Sequence, residues 1–467
     1  MSAQPIVTAR QSVGGLATSR EFLLLGSLSV LSLGATIRLG TYSPSALELV
    51  VLAALLMAGA MLSRHDTSIG TLPWAMLGGG TAAILLIAAN PFGVPVVTWL
   101  TLVLVAAIVS LLLVRHRVLQ WISAAVASAG LLAMLVAALR ASRPDIDVFQ
   151  SLQGASSAIL HGQNPYQPLF PVEAAVSPFT FVTVPAHFDY LPIAAIITAP
   201  GRLFGDVRFM GVIALVALIA FLARLACESP EPRPRLVRVG ALGLALPMTV
   251  AIVYLSWVDI YSMVGFAGWI VLRRSNRRWS IAFLVLTFTV KPVILIALVP
   301  ALLWSRRARF EAVVAAAIAI VLTLPFVLAT GLGNFYQDVV GIQASQNFRA
   351  DGLTLNSAWY AISGHTLPVW FGLGVGAVVA FFALRRRPAD LADVLCSGAL
   401  LSTAAFLLAK WAFLNYYFIP VWLLLLALAG RGVRFEASSS DVALPLTGLI
   451  RRTGLLQRSS EGPGLVV

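Results

Sequence analysis

Apolar positions along this chain run in unbroken blocks rather than alternating, and polar residues gather in the breaks between them. Blocks of about 17 to 21 residues recur, each long enough to cross a hydrocarbon core of roughly 30 Å as a helix. Lipid offers no partner to a bare backbone, so a spanning segment is a helix or a strand of a closed barrel, and blocks without alternation exclude the barrel. The pattern predicts an all-α, polytopic membrane protein. Spans are expected at residues 22–37, 46–62, 72–89, 94–114 and 120–139, and again at 310–330, 367–384, 391–409 and 412–430.

Two blocks break this rhythm. The segment from Leu191 to Phe204 carries Pro192 and Pro200 and, at about 14 residues, is too short to stand upright in a bilayer, which predicts an interfacial or re-entrant piece. The segment from Trp279 to Trp304 has arginines at both flanks and Lys291-Pro292 at its midpoint. Arms of about 12 residues would form a broken hairpin with Lys291 near mid-membrane. The expected count is about twelve transmembrane helices; a rival reading makes both short pieces full crossings and leaves the ends unchanged.

Charge orients this pattern. Lys and Arg favour the cytoplasmic side of short loops. Arg10 and Arg20 precede the first span, Arg64 follows the second, and Arg115 and Arg117 follow the fourth, whereas Asn90-Pro91-Phe92-Gly93 carries no charge. The N-terminus is therefore expected in the cytoplasm and the loop after the fifth span outside. Residues 1–21 read as a cytoplasmic N-terminus, 22–139 as five spans and 140–190 as a first large extracytoplasmic loop. Residues 191–330 read as a membrane core, 331–366 as a second external loop, 367–431 as C-terminal spans, and 432–467 as a flexible, Ser-rich cytoplasmic tail. No cleavable signal is evident before the first span. No clear internal repeat is found, which disfavours the inverted-repeat transporter folds.

Composition agrees with this class: 59% hydrophobic and 11% charged residues in 467, with a mean hydropathy of +0.91. The net charge of +13 comes from arginine clusters between apolar blocks, where topology and anionic headgroups account for them, so a nucleic-acid partner is not expected. Cys227 and Cys396 lie in or beside apolar blocks without ligand spacing and read as buried thiols with no disulfide.

Candidate chemistry collects in the two external loops. Arg143-Pro144-Asp145-Ile146-Asp147-Val148-Phe149 opens the first. Ser151 to Ile159 follows with a helical apolar period that would let it lie flat on the membrane. Then come His161-Gly162-Gln163-Asn164-Pro165-Tyr166, a Gly- and Pro-punctuated turn, and His187-Phe188-Asp189-Tyr190-Leu191-Pro192, which returns to the bilayer. The second loop holds Arg349, Asn356-Ser357 and His365. Lys291 and Lys410 are the only lysines, both in or beside apolar segments where a charge is costly and usually functional.

These residues resemble the GT-C superfamily of integral membrane glycosyltransferases, especially glycosyltransferase family 87. The similarity runs from about Ala141 to about Gly430 and rests on four features: Asp145 to Phe149 followed by Gly162 to Tyr166, Phe188 to Pro192, Lys291-Pro292 before Arg306-Arg307, and Asn356-Ser357. Ser256-Trp257-Val258-Asp259 departs from the Gly-Gln that many relatives carry at that turn, and the motifs do not explain the first four helices.

The resemblance implies inverting transfer of a sugar, mannose first, from a polyprenyl-phosphate donor to an envelope glycolipid or polysaccharide acceptor outside the membrane. Such a transfer needs a carboxylate to take the proton of the attacking hydroxyl. The resemblance assigns this to Asp145, with Asp147 orienting the acceptor or coupling to Asp145. The other reading pairs one of the two with Arg140 or Arg143 as a loop anchor. The leaving phosphate needs cationic or hydrogen-bonding neighbours, for which Lys291, Lys410, Arg349, His365 and His187 are the candidates, with Asn356 beside them. Lys410 could instead snorkel to the interface and Lys291 pair with an internal carboxylate. Tyr166 and Tyr190 are candidates to stack on sugar or prenyl groups, or are ordinary interfacial tyrosines. Neither a metal nor another cofactor is expected, because no second carboxylate cluster accompanies Asp145 and Asp147. The alternative function is a multi-pass transporter or lipid-linked sugar flippase with Asp145, Asp259, Lys291 and Lys410 along its path.

Overall fold

The computed structural model describes residues 19–63, 69, 73–74, 117–140 and 143–435. The chain divides into two compact units, Met1–Val433 and Arg434–Val467, and every element described lies in the first. The tail expected from Gly432 lies, beyond Phe435, outside the described residues. The helices are α1 (Arg20–Thr36), α2 (Pro44–Leu62), α3 (Arg117–Arg140), α4 (Asp147–Leu160), α5 (Pro192–Leu203), α6 (Arg208–Cys227), α7 (Pro232–Ala245) and α8 (Pro247–Tyr254). They continue with α9 (Asp259–Leu272), α10 (Arg277–Val290), α11 (Leu295–Trp304), α12 (Arg306–Thr330), α13 (Leu355–Ser363), α14 (Val369–Leu384), α15 (Leu391–Leu408) and α16 (Leu414–Ala429).

Five of these are long and apolar enough to cross a membrane: α1 with its extension to Gly40, α2, α6, α12 and α15. Two bent pairs raise the number to seven, α7 with α8 at 50° and α10 with Pro292–Trp304 at 118°. The expected count of about twelve is not reached among the described residues, because α9, α14 and α16 have 14 to 16 residues and reach only about 21 to 24 Å at helical rise. The spans expected at 72–89 and 94–114 lie, apart from Pro73 and Trp74, outside the described residues.

The helical expectation also needs one correction. The first polar loop contains an antiparallel hairpin, β1 (Phe170–Ser177) with β2 (Thr180–Ala186), in the register Val172↔Val184 and Glu173↔Thr183. In β1 Phe170 and Val172 are buried while Pro171 and Glu173 are exposed, the alternation of a half-buried strand.

The bundle is built around α16, whose residues from Tyr417 to Ala429 are all buried. It packs against α15, α1 and α9. Helix α9 approaches α10 closely because of Gly265, where an added Cβ would lie 2.7 Å from the carbonyl oxygen of Phe283; small residues at such crossings let two backbones pack in lipid. Peripheral α12 buries Ala308, Ala312, Ala315 and Ala319 as a narrow stripe, leaving Val313, Ile320 and Val321 exposed, as a lipid-facing helix should.

One end of the bundle is held by buried arginine–carboxylate clusters. Glu21, wholly buried, is bonded by Arg431 and Arg235, with Arg238 nearby at 3.8 Å. Glu311 takes Arg273 at 3.0 Å and Arg307 at 2.7 Å. Several arginines that would serve topology alone thus also neutralise buried acids. Both cysteines are free; Cys396 is buried as expected, while Cys227, at the end of α6, is exposed.

Candidate functional site

At the opposite end of α1 and α16 a cavity of about 640 Å³ opens where several chain segments converge. Each segment arrives there for a local reason. Pro144 biases the residue before it toward extended backbone, Ile146 is extended, and α4 starts at Asp147, where a carboxylate suits the positive end of a helix. Asp147 Oδ1 accepts from its neighbour's backbone, Val148 N–H, at 2.7 Å. Asp145 is exposed and its Oδ1 accepts from Gln150 Nε2 at 2.9 Å. The apolar face of α4 does not lie free on a membrane as its periodicity suggested. It packs against α5 and β1, with Ser156 Oγ 2.8 Å from Thr198 Oγ1.

Asp145, Asp147, Tyr190, Lys291 and Arg349 all line this cavity. Asp189, Glu173 and Asp351 line it too, none of them among the residues singled out from sequence. Asp189 stood inside the quoted Phe188-to-Pro192 motif, and its Oδ2 accepts from Gln343 Nε2 at 3.2 Å. Glu173 is delivered by the hairpin, whose alternation was the one signal that could have found it. Burial pushes the Asp147 carboxyl above its ordinary range, with Glu173 adding to the rise and Val148 N–H and Arg349 opposing it. Asp189 is pushed up to about 7, first by burial and then by the Asp147 charge, with its backbone hydrogen bond and Lys291 working the other way.

Lys291 stands in the break between α10 and the short turn Pro292–Ile294. Its ammonium lies 3.0 Å from Asp259 Oδ1 and 4.2 Å from the centre of the Tyr416 ring. Asn415 Nδ2 donates to Asp259 Oδ2 at 3.1 Å. Asp259 itself is wholly buried at the start of α9, so the lysine both pairs with an internal carboxylate and faces the cavity. Arg349 bonds Asp351 at 2.8 Å and Glu173 at 3.2 Å, and its guanidinium stacks over Phe413. Two acids therefore hold the second cavity cation, and Arg349 is not simply solvated.

The other candidates stand outside the lining. Tyr166 is buried and donates through its hydroxyl to the Tyr190 carbonyl at 2.7 Å, so it supports a lining residue. His187 is half-buried with no partner at Nδ1 and lies close enough to Asp338 to oppose the rise that burial gives that carboxyl. Asn356 donates to the Leu408 and Ala409 carbonyls at 3.2 and 3.0 Å, tying α13 to the end of α15. Lys410 donates to the Ala344 and Gln346 carbonyls at 3.0 and 2.8 Å, and burial lowers its pKa. His365 is exposed, its backbone N–H donating to Ser363 Oγ.

Apolar and aromatic walls complete the cavity. Val290, Val293, Val339 and Val340 line it, as do Trp257, Trp411 and Phe413. The first helix contributes as well. Beyond α1 the backbone turns through left-handed conformations at Arg38, Leu39 and Gly40, bringing Leu39 and Thr41 to the lining. At Gly40, with φ +79°, an added Cβ would lie 2.1 Å from the Leu414 nitrogen, so only glycine fits this approach. Among the described residues no group of three or more His, Cys, Asp or Glu is arranged to hold a metal ion.

The cavity thus offers five carboxylates, of which Asp147 and Asp189 have raised proton affinity, two cations that are each paired with acids, and apolar surface. Such a site can bind an amphiphilic anion and accept a proton beside it. No protein-family model, curated protein or solved structure matches this chain.

Proposed function

We propose that the protein is an integral membrane glycosyltransferase that moves a sugar, mannose first among the candidates, from a polyprenyl-phosphate donor to an envelope glycolipid or polysaccharide. The observation that carries this reading is the meeting of Asp145, Lys291, Arg349 and the valine wall in one cavity. An amphiphilic sugar donor asks for those elements together: cations for its phosphate, apolar surface for its chain and a carboxylate for the incoming hydroxyl.

Asp145 is the general base in this mechanism. It is exposed, and its described hydrogen bond occupies one oxygen. As the acceptor oxygen forms its bond to the anomeric carbon, its proton passes to Asp145, the bond from that carbon to the donor phosphate breaks on the opposite face, and the configuration inverts. The phosphate leaves with the electron pair, next to Lys291 and Arg349. Asp147 orients the acceptor. Asp189 carries a proton at the acid side of neutrality, which keeps a second negative charge away from the departing anion. On this reading the cavity faces the extracytoplasmic side, both termini are cytoplasmic and the bundle is GT-C-like.

The test is transfer of radiolabelled mannose from its polyprenyl phosphate in membranes expressing wild type or Asp145→Asn. Product from wild type and a loss of about 10² to 10⁴-fold in the variant are expected; undiminished product from a normally folded variant would discard the base assignment. A transporter is the second reading, favoured by the Lys291–Asp259 pair at two helix breaks. Movement of a labelled lipid-linked sugar across proteoliposomes without any product would select it instead.

A further inference from the structure

A second recess, of about 360 Å³, lies far from the candidate site, at the end of the bundle where α1 begins. It is bounded by the C-terminal turn of α2, the C-terminal turn of α14 and the first half of α15. Its apolar lining comes from Ala58, Met61, Phe382 and Leu400, and its basic lining from arginines. Helix α14 ends at Leu384, and Arg385, Arg386 and Arg387 line the recess before Pro388 turns the chain. Arg20 also lines it, but Asp390 at 3.2 Å and Asp393 at 2.7 Å balance its charge.

The three consecutive arginines are different. Among the described residues none of them has a carboxylate within ion-pair distance, and Arg385 stacks over Phe382 at 4.8 Å. Ser397, also in the lining, spends its hydroxyl on Met61 Sδ at 3.9 Å, a weak acceptor. Flanking the recess, α2 and α14 expose Leu55, Leu62, Phe381 and Phe382, which are lipid-facing surfaces. A phospholipid lying between these two helices would put its acyl chains on that surface and its phosphate among the unpaired guanidiniums.

We propose that this recess is a binding site for the headgroup of an anionic phospholipid. Three adjacent arginines that have no carboxylate partner among the described residues, in a half-enclosed, partly apolar pocket, match a phosphodiester attached to hydrocarbon better than a free anion, which would leave the apolar lining unused. The proposal stands apart from the reading of the larger cavity. An arginine triplet after a membrane helix also serves topology, so the experiment compares it with arginines that share its end of the bundle but do not line this recess.

Full-length protein in detergent is titrated with phosphatidylglycerol or phosphatidylcholine and followed by native mass spectrometry, with inorganic phosphate as a competitor. Wild type is expected to retain phosphatidylglycerol over phosphatidylcholine, and inorganic phosphate not to displace it. Each basic residue is worth roughly fivefold, so Arg386→Gln/Arg387→Gln should weaken phosphatidylglycerol roughly thirtyfold. Arg278→Gln/Arg309→Gln should leave binding unchanged. Ala58→Phe fills the apolar wall without touching a charge and should also abolish retention, provided the melting temperature is that of wild type. Equal loss in the Arg278/Arg309 control, or full retention in both recess variants, overturns the site. Displacement by inorganic phosphate overturns the lipid as its ligand.

Discussion

Asp189 is the residue whose behaviour departs furthest from what its neighbourhood in the sequence suggests. Its carboxyl sits at about 7 against an ordinary 3.8 because it is buried beside Asp147. Between those two values the folded chain holds a proton that the unfolded chain releases, so stability falls as pH rises through that window. Asp189→Asn should flatten this slope and raise the melting temperature above neutral pH, read by thermal unfolding of the solubilised protein across the range. An unchanged slope would place the burden on another group. Asp189 escaped the sequence reading because its partners come from elsewhere: Asp147 lies on the other side of a hairpin, and Gln343 comes after α5 to α12. Asp145 and Lys291 were legible because a carboxylate or cation beside an apolar block is costly wherever it ends up, and Arg349 because it is a cation in the second polar loop.

Among the elements, the broken pair α10–α11 was the most legible. Proline lacks the N–H needed to continue the ladder, and the structure breaks at Lys291–Pro292 with a bend of 118°. The partner of that break was not legible. Asp259 begins α9 and lies beside Lys291, a juxtaposition made by packing rather than by spacing. Removing one member leaves the other charge buried and alone, which costs about 3 to 5 kcal/mol. Lys291→Met should therefore lower the yield of folded protein, and Lys291→Met/Asp259→Asn should restore the yield without restoring transfer. Size-exclusion profiles checked beside the mannose assay separate the two effects; recovery of activity in the double variant would show that the pair is structural only. The β1–β2 hairpin marks the opposite case, since its alternation was present but lay inside a stretch read as polar loop.

For the molecule as a whole, the ends of the bundle differ in chemistry. One end gathers the acids and cations of the cavity, and the other gathers buried and exposed arginines. On the topology we propose from arginine bias, the second end faces the cytoplasm. With Cys227 and Cys396 replaced, an impermeant maleimide applied to intact cells should label His365→Cys, near the cavity end, and should label Ser275→Cys only after permeabilisation. The reverse pattern would invert the assignment. The helix count was not legible because hydropathy counts apolar blocks and cannot see a bend. It reads α14 and α16 as it reads a full span, although their lengths stop short.

The Lys291–Asp259 pair has a consequence for biogenesis. A lone lysine or aspartate at the centre of a membrane helix costs about 2.5 to 3.5 kcal/mol to insert, and each of these two sits at a helix end turned inward against the other. Separately, neither segment is a good candidate to enter lipid; together they neutralise one another. Entry of α9 into the bilayer is therefore expected to be easier when Lys291 enters with it, so a chain truncated before Lys291 should insert α9 poorly.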